Sequence, residues 1–167
     1  MATAAKILAK LNLKPLPQEG GYYHETYRSP LRLAPEALDS LYPGPRSVAT
    51  AIYYLITPET FSAMHRITGD EMFHFYLGDP VEMLQLHPDG SSQTIRIGTD
   101  ILGGMVPQVL VQGGVWQGLR LVDGGEFALM GTTVAPGFEF EDFEIGGRKA
   151  LADQFPDHAK AIERFTY

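Results

Sequence analysis

The stretch that decides the fold is His65-Arg66-Ile67-Thr68-Gly69-Asp70-Glu71, which runs on through apolar and aromatic residues to Gly78. Short apolar runs on both sides of a Thr-Gly-Asp turn are typical of two antiparallel strands. Because residues two apart in a strand share a face, Glu71 and Phe73 point to one side of the returning strand, where His65 can meet them. The sequence therefore predicts a hairpin that brings an imidazole and a carboxylate into one interior.

Turn-forming residues divide most of the remaining chain at intervals of about ten residues. The 167 residues include 18 glycines and 12 prolines, too many for a bundle of long helices. Many short strands at this spacing indicate a sandwich, barrel or jelly roll, so we expect one all-β domain over residues 1–167. The predicted strands are Val48–Ile56, Phe61–Ile67, Glu71–Leu77, Val81–Leu86, Gln93–Ile97, Gln108–Gln112, Val115–Val122, Glu126–Val134 and Phe138–Phe143.

The two ends of the chain follow different patterns. Residues 3–12 predict a short amphipathic helix, and residues 147–165 predict two short helices broken at Pro156. Tyr22–Tyr27 is interpreted as an extra strand, and the proline-rich residues 29–46 as a long loop. In the acidic stretch near residue 140, alternation within a strand would put the glutamates on one solvated face.

Charge and composition exclude several classes of protein. The net charge is −7, and residues 67–167 hold six Lys/Arg against fifteen Asp/Glu, a net −9 without a basic stripe. Nucleic-acid binding is therefore not expected. The chain has no cysteine, which excludes disulfides and thiolate metal sites. Its apolar runs are too short to span a bilayer and its start lacks a signal-peptide pattern, so we expect a soluble cytoplasmic protein with no membrane partner.

The spacing of His65, Glu71 and the following glycine resembles the first motif of the cupin superfamily, which is Gly-x5-His-x-His-x3–4-Glu-x6-Gly. The alignment puts Ile67 at the second histidine of that motif. The second cupin motif, Pro-x-Gly-x-x-His, resembles residues 112–117 with Gln117 in place of the histidine.

A closer resemblance covers nearly the whole chain. It is to a cupin family of unknown function whose fold is like that of dTDP-sugar epimerases. The resemblance implies a double-stranded β-helix, the cupin jelly roll, here with a short N-terminal helix and a C-terminal helical tail, and a homodimer. Four segments carry it: residues 17–29, residues 50–55, residues 62–76 and Pro136-Gly137-Phe138-Glu139-Phe140-Glu141-Asp142-Phe143.

The residues at the matching positions disfavour a metal. A typical cupin metal site has three histidines and one glutamate, and here only His65 and Glu71 remain. Ile67 cannot ligate, and Gln117 offers a neutral oxygen. No metal and no other cofactor is expected, although a degenerate metal-dependent enzyme using His65, Glu71 and Gln117 stays an alternative.

The related epimerases, which the resemblance brings in, use a histidine base in a barrel cavity without a metal. The resemblance therefore implies a metal-independent isomerase or epimerase that acts on a small polar or sugar-like substrate. His65 would be the base, and Glu71 would orient it or share its proton. A non-catalytic cupin that binds a small ligand is the other alternative. The expected ligand-binding residues are Gln117, Trp116, Phe73, Tyr54, Arg28 and Glu19.

Overall fold

A computed structural model of the protein describes residues 3–38 and 40–167. The strands are β1 (Lys14–Pro15), β2 (Tyr22–Arg28), β3 (Arg32–Leu33), β4 (Arg46–Ser47), β5 (Thr50–Ile56), β6 (Ser62–Ile67), β7 (Asp70–Gly78), β8 (Val81–Leu86), β9 (Ser92–Ile97), β10 (Gln108–Val111), β11 (Trp116–Leu121), β12 (Ala128–Ala135) and β13 (Phe143–Ile145). The α-helices are α1 (Ala4–Leu11), α2 (Arg148–Gln154) and α3 (Ala159–Arg164), and 3₁₀ turns cover Pro35–Ala37, Phe140–Asp142 and Pro156–His158.

Two antiparallel sheets face each other. The first has the strand order β1-β2-β5-β12-β7-β10, and the second has the order β13-β6-β11-β8-β9. Strands β3 and β4 form a separate small ribbon. The expected all-β class and the short helices at both ends are thus confirmed, because most turn signals separate strands that pair in these sheets.

The main core lies between the sheets and follows from strand alternation. Along β7 the buried side chains are Glu71, Phe73 and Phe75, and their neighbours at positions 72 and 74 are only partly buried. The second sheet contributes its own alternate positions to the same interior. The core members are Tyr54, Ile56, Phe73, Phe75, Val81, Met83, Ile97, Val109, Val111, Val115, Leu119, Leu121, Ala128 and Met130.

Helices cover the outer face of each sheet. On the first sheet, α1 packs Ile7, Leu8 and Leu11 against Leu55 and its apolar neighbours. On the second sheet, the C-terminal helices close a cluster made of Met64, Leu84, Leu86, Trp116, Leu151, Phe155, Ile162 and Phe165. No helix within the described ranges is long and apolar enough to cross a membrane.

The predicted strand Phe138–Phe143 is wrong in its detail. The chain instead makes the 3₁₀ turn Phe140–Asp142 and then the three-residue strand β13, which pairs with β6. We call residues 138–144 the acidic segment. Its carboxylates do not lie along one strand face. Arginines from three earlier strands pair with them, while Glu141 and Glu144 stay more than half exposed. These pairs are Arg28 with Glu139, Arg46 with Glu141 and Asp142, and Arg66 with Glu144.

Candidate functional site

A cavity of about 160 Å³ opens between the two sheets and beneath the acidic segment. A cavity of roughly this volume accommodates one six-membered ring. Apolar walls come from Leu16, Pro17, Tyr23, Ala51, Ile52, Ile67, Val134, Phe138, Phe140 and Phe143. The polar lining consists of Glu19, Glu25, Arg28, Thr50, His65, Glu71, Thr132 and Glu139.

The structure brings four of the eight predicted site residues to this cavity. His65 and Glu71 lie in its wall, as do Glu19 and Arg28. Gln117 does not line the cavity, but its Nε2 donates a 2.7 Å hydrogen bond to Glu71 Oε2 and so supports the wall from behind.

His65 is held in a defined orientation by the backbone. Its side chain lies on β6 with 2 % of the residue exposed, and the ring stacks on Phe143 at 5.2 Å between centroids. Its Nδ1 lies 2.8 Å from the carbonyl oxygen of Ala63. A carbonyl only accepts, so Nδ1 carries a hydrogen, and whenever the ring is neutral its lone pair is on Nε2. The imidazole is thus oriented by a carbonyl, whereas the sequence suggested Glu71 for that role.

Glu19 lies beside the free nitrogen of this ring. Its Oε2 is 3.9 Å from His65 Nε2, beyond hydrogen-bond distance, and its Oε1 accepts a 2.8 Å hydrogen bond from Ser62 Oγ. The turn that carries it needs glycine at position 20, where φ is +100° and a Cβ would lie 2.4 Å from the carbonyl oxygen of Phe61. The tight turn therefore fixes the carboxylate in the wall.

Glu71 is the carboxyl group in the wall whose pKa is clearly shifted. Burial raises the pKa of its carboxyl above the ordinary value, the charge of His65 opposes that shift, and the charge of Glu19 adds to it. Hydrogen bonds from Thr132 and Gln117 favour the ionised form but do not reverse the direction. Glu71 therefore holds a proton to higher pH than an ordinary glutamate.

Gln117 lies next to both His65 and Glu71. It is fully buried on β11 directly opposite His65 on β6. Its Nε2 is used by Glu71, and its Oε1 has no hydrogen-bond partner among the described residues. The amide thus fixes the Glu71 carboxylate and leaves one polar atom unsatisfied behind the cavity wall.

Arg28 closes the outer part of the cavity in a network of ion pairs. Its guanidinium donates to both carboxylate oxygens of Glu25 at 3.0 and 2.9 Å, to Glu139 at 2.7 Å and to the carbonyl oxygen of Phe138 at 3.0 Å. The arginine therefore ties the acidic segment to β2.

Besides Gln117, three predicted ligand-binding residues lie outside the cavity lining. Phe73 is packed in the core between the sheets. Tyr54 is also buried there, and its hydroxyl donates a 2.9 Å hydrogen bond to the carbonyl oxygen of Gly20, so it supports the turn that holds Glu19. Burial, and then the charge of Glu19, raises the pKa of Tyr54 well above its ordinary value.

Trp116 points to the opposite side of the second sheet. Because it precedes the inward-facing Gln117, strand alternation turns its ring outward, where it packs under the C-terminal helices. The guanidinium of Arg66 lies 4.5 Å from the centre of its ring. Trp116 is therefore a packing residue of the outer cluster in this structure.

The donor set does not fit a resident cupin metal. No group of three or more His, Asp or Glu side chains within residues 3–38 and 40–167 is arranged to hold an ion. Ile67 lines the cavity where the cupin motif has its second histidine. Gln117 turns an N–H donor, which cannot ligate, toward Glu71.

Sequence reasoning missed several cavity residues. Thr132 shares the inward face of β12 with Val134, and strand alternation from an inward residue would have found both. Glu25 and Glu139 could not be found this way, because their position depends on pairing with Arg28 across the fold.

Comparison with known proteins gives relatives at about 30 % sequence identity. The yeast Saccharomyces cerevisiae protein YML079W, described as uncharacterized, is 32 % identical over 133 residues, which are 75 % of this chain and 66 % of the yeast protein, just under two thirds of its length. The crystal structure of protein SO0799 from Shewanella oneidensis superposes with a TM-score of 0.89 at 31 % identity, covering 100 % of this chain and 99 % of that one. A hypothetical protein from Leishmania major gives a TM-score of 0.89 at 30 % identity, with 99 % of both chains covered.

A more distant likeness shows the fold alone. Oxalate decarboxylase from Bacillus subtilis superposes with a TM-score of 0.53 at 11 % identity, over 92 % of this chain and 37 % of that one.

The family described as Cupin superfamily (DUF985) matches residues 5–146. The motif around His65 and Glu71, the two facing sheets and this match agree, and the chain belongs to the DUF985 family of the cupin superfamily.

Proposed function

We propose that the cavity binds one small polar or sugar-like molecule and that His65 and Glu71 move a proton on it without a metal. The observation that supports this most is the orientation of His65, whose Nδ1 is held by the Ala63 carbonyl beside a cavity wall that contains Glu19 and Glu71. The reaction class is isomerisation or epimerisation at a carbon next to a carbonyl group.

In this mechanism the two side chains have different tasks. His65 Nε2 takes the proton from the carbon, and the electron pair of that C–H bond forms a carbon–carbon double bond while the carbonyl electrons move to oxygen. Glu71, whose raised pKa keeps it protonated to higher pH, donates to that oxygen. For an isomerisation, His65 returns the proton to the neighbouring carbon. For an epimerisation, water supplies a proton to the opposite face of the same carbon and His65 releases its own proton to water. In both cases Glu71 takes a proton back from the hydroxyl oxygen that becomes the new carbonyl group, so both side chains are regenerated.

Deuterium uptake from solvent tests this function before the substrate is known. The protein is incubated in D₂O with a panel of small aldoses, ketoses and amino sugars, and loss of C–H signal is followed by proton NMR. We expect exchange at the carbon next to the carbonyl of at least one compound. His65→Ala is expected to slow it by about a hundredfold or more.

His74→Ala is the matched control, since His74 lies on the same hairpin with its side chain on the other face of β7, near Gln108 and Thr133. It should exchange like the wild type. The proposal fails if no compound exchanges, or if His65→Ala exchanges as fast as the wild type. Stoichiometric iron, manganese, nickel or zinc in the purified protein would contradict the metal-free mechanism.

A further inference from the structure

The charge of the cavity lining is strongly one-sided. Besides the protonated Glu71, the carboxylates of Glu19, Glu25 and Glu139 line it, against the single guanidinium of Arg28. An anionic ligand would meet like charges in a partly enclosed space, where screening by water is weaker than in bulk. A ligand that carries a positive charge would meet the opposite sign.

Arg28 does not offset this by serving as an anchor for an anion. Its Nε, Nη1 and Nη2 all donate to protein oxygens, three of them carboxylate oxygens at 2.7–3.0 Å. Its Nη2 also donates to the carbonyl of Phe138. The pairing of one guanidinium with two carboxylates leaves this part of the cavity with a net negative charge.

A second observation points to where a ligand would bind. His65 is buried, its Nδ1 is satisfied, and its Nε2 has no hydrogen bond among the described residues although it lies in the cavity wall. The neighbouring Glu19 uses Oε1 for Ser62, while its Oε2 lies 3.9 Å from that nitrogen. Two acceptors side by side in the wall suit a group rich in N–H donors.

The apolar walls fit the same kind of ligand. Aromatic rings from Tyr23, Phe138, Phe140 and Phe143 line the cavity together with these carboxylates. Aromatic faces attract ammonium groups as well as apolar rings. A protonated amine on Glu19 Oε2 would leave the carbon next to it beside His65 Nε2, where the proposed base acts.

From these observations we propose that the ligand of this cavity is a protonated amine of about one ring in size, with no anionic group. Glu19 binds its ammonium group and the aromatic walls hold the ring. This inference rests on the proposed function only in using the same cavity, and it names the class of substrate that the proton transfer would act on.

Two ligand series of matched shape test the proposal by isothermal titration calorimetry. One consists of glucosamine, glucose and glucuronate, and the other of benzylamine, benzyl alcohol and benzoate. In at least one series the amine is expected to bind tightest and the acid weakest. Tighter binding of the acid, equal binding within both series, or no binding of either amine would overturn the proposal.

Two variants test whether Glu19 is the residue that binds the ammonium group. Glu19→Gln is expected to weaken amine binding by about tenfold or more, because it removes a charged hydrogen-bond acceptor, and to leave the uncharged analogue unchanged. Glu59→Gln removes the same charge at an exposed position outside the cavity and should not alter amine binding. Equal effects of both changes would show only a long-range charge effect and would contradict a role for Glu19.

These results are distinguishable from failure of the proposed function. Preferred binding of an amine without deuterium exchange would support the ligand class and reject catalysis. Exchange that depends on His65 but shows no preference for amines would support the proton transfer and reject the ligand class.

Discussion

Glu71 shows how a single buried side chain couples the site to pH. Burial raises its pKa in the folded protein above the ordinary value of 4.5. The folded state therefore binds the proton more tightly than the unfolded state does. The stability that this gives is fully present below the unfolded pKa and is lost as pH rises through the folded pKa.

Replacement of this residue by its neutral analogue should reveal that dependence. In Glu71→Gln the penalty for a buried charge is absent, so the variant gains free energy of unfolding relative to the wild type as pH rises from about 4.5. Each unit of pKa shift corresponds to about 1.4 kcal/mol. Urea unfolding across a pH series measures the difference, with Glu59→Gln as control. A difference that is constant with pH would contradict the prediction.

For single residues, the sequence predicted the strand face of a side chain better than it predicted the hydrogen-bond partner of that side chain. The spacing of His65 and Glu71 placed both in one cavity wall, because strand alternation follows from backbone geometry alone. The same rule places Trp116 and Gln117 on opposite faces, so the prediction that both bind the ligand is inconsistent with strand alternation. The hydrogen bond that His65 Nδ1 donates to the Ala63 carbonyl could not be predicted, because strand alternation gives the face of a side chain and not its hydrogen-bond partner.

Among the elements, the acidic segment combines a buried ion pair with exposed ones. Arg46 is 1 % exposed, and Asp142 accepts from it through both oxygens at 2.8 and 2.7 Å. Arg66 and Glu144 also pair, but their side chains are 41 % and 56 % exposed. A buried charge that loses its partner is expensive, whereas an exposed pair contributes little.

The two pairs should therefore respond differently to neutralisation. Asp142→Asn is expected to lower the free energy of unfolding by about 3 kcal/mol, the low end for a broken buried pair since Glu141 still contacts Arg46. Glu144→Gln should cost less than about 1 kcal/mol. Urea unfolding at neutral pH compares them, and equal losses would show that the Arg46 pair does not anchor the segment.

The sequence could not place this element. Its alternation of phenylalanine and acidic residues has the period of a strand, and the strand prediction followed from that. The observed 3₁₀ turn arises because arginines more than seventy residues earlier in the chain, Arg66 the nearest of them, fix its carboxylates. Such long-range pairing leaves no local pattern.

In the whole molecule, the layers separate stability from binding. Phe165 is buried on the outer face of the second sheet under the C-terminal helices and does not line the cavity. Phe140 lines the cavity but is 57 % exposed.

The homodimer that the family resemblance implies stays a prediction, which native mass spectrometry can check.

Truncation of these two rings should give opposite results. Phe165→Ala is expected to cost about 3–5 kcal/mol of unfolding free energy with unchanged affinity for the amine probes. Phe140→Ala should cost less than about 1 kcal/mol and weaken amine binding. Urea unfolding and calorimetric titration of both variants test this, and weaker binding in the folded Phe165 variant would contradict the separation.

The pairing of the acidic segment with earlier strands has a consequence for the nascent chain. Synthesis proceeds from the N-terminus, so Arg28, Arg46 and Arg66 emerge from the ribosome long before Glu139 and Asp142. Until Asp142 has been translated, burial of Arg46 would leave its charge without that partner. The region around β4 therefore has to stay hydrated until then. The acidic segment can therefore cover the cavity only after β13, the last of the strands, has been translated.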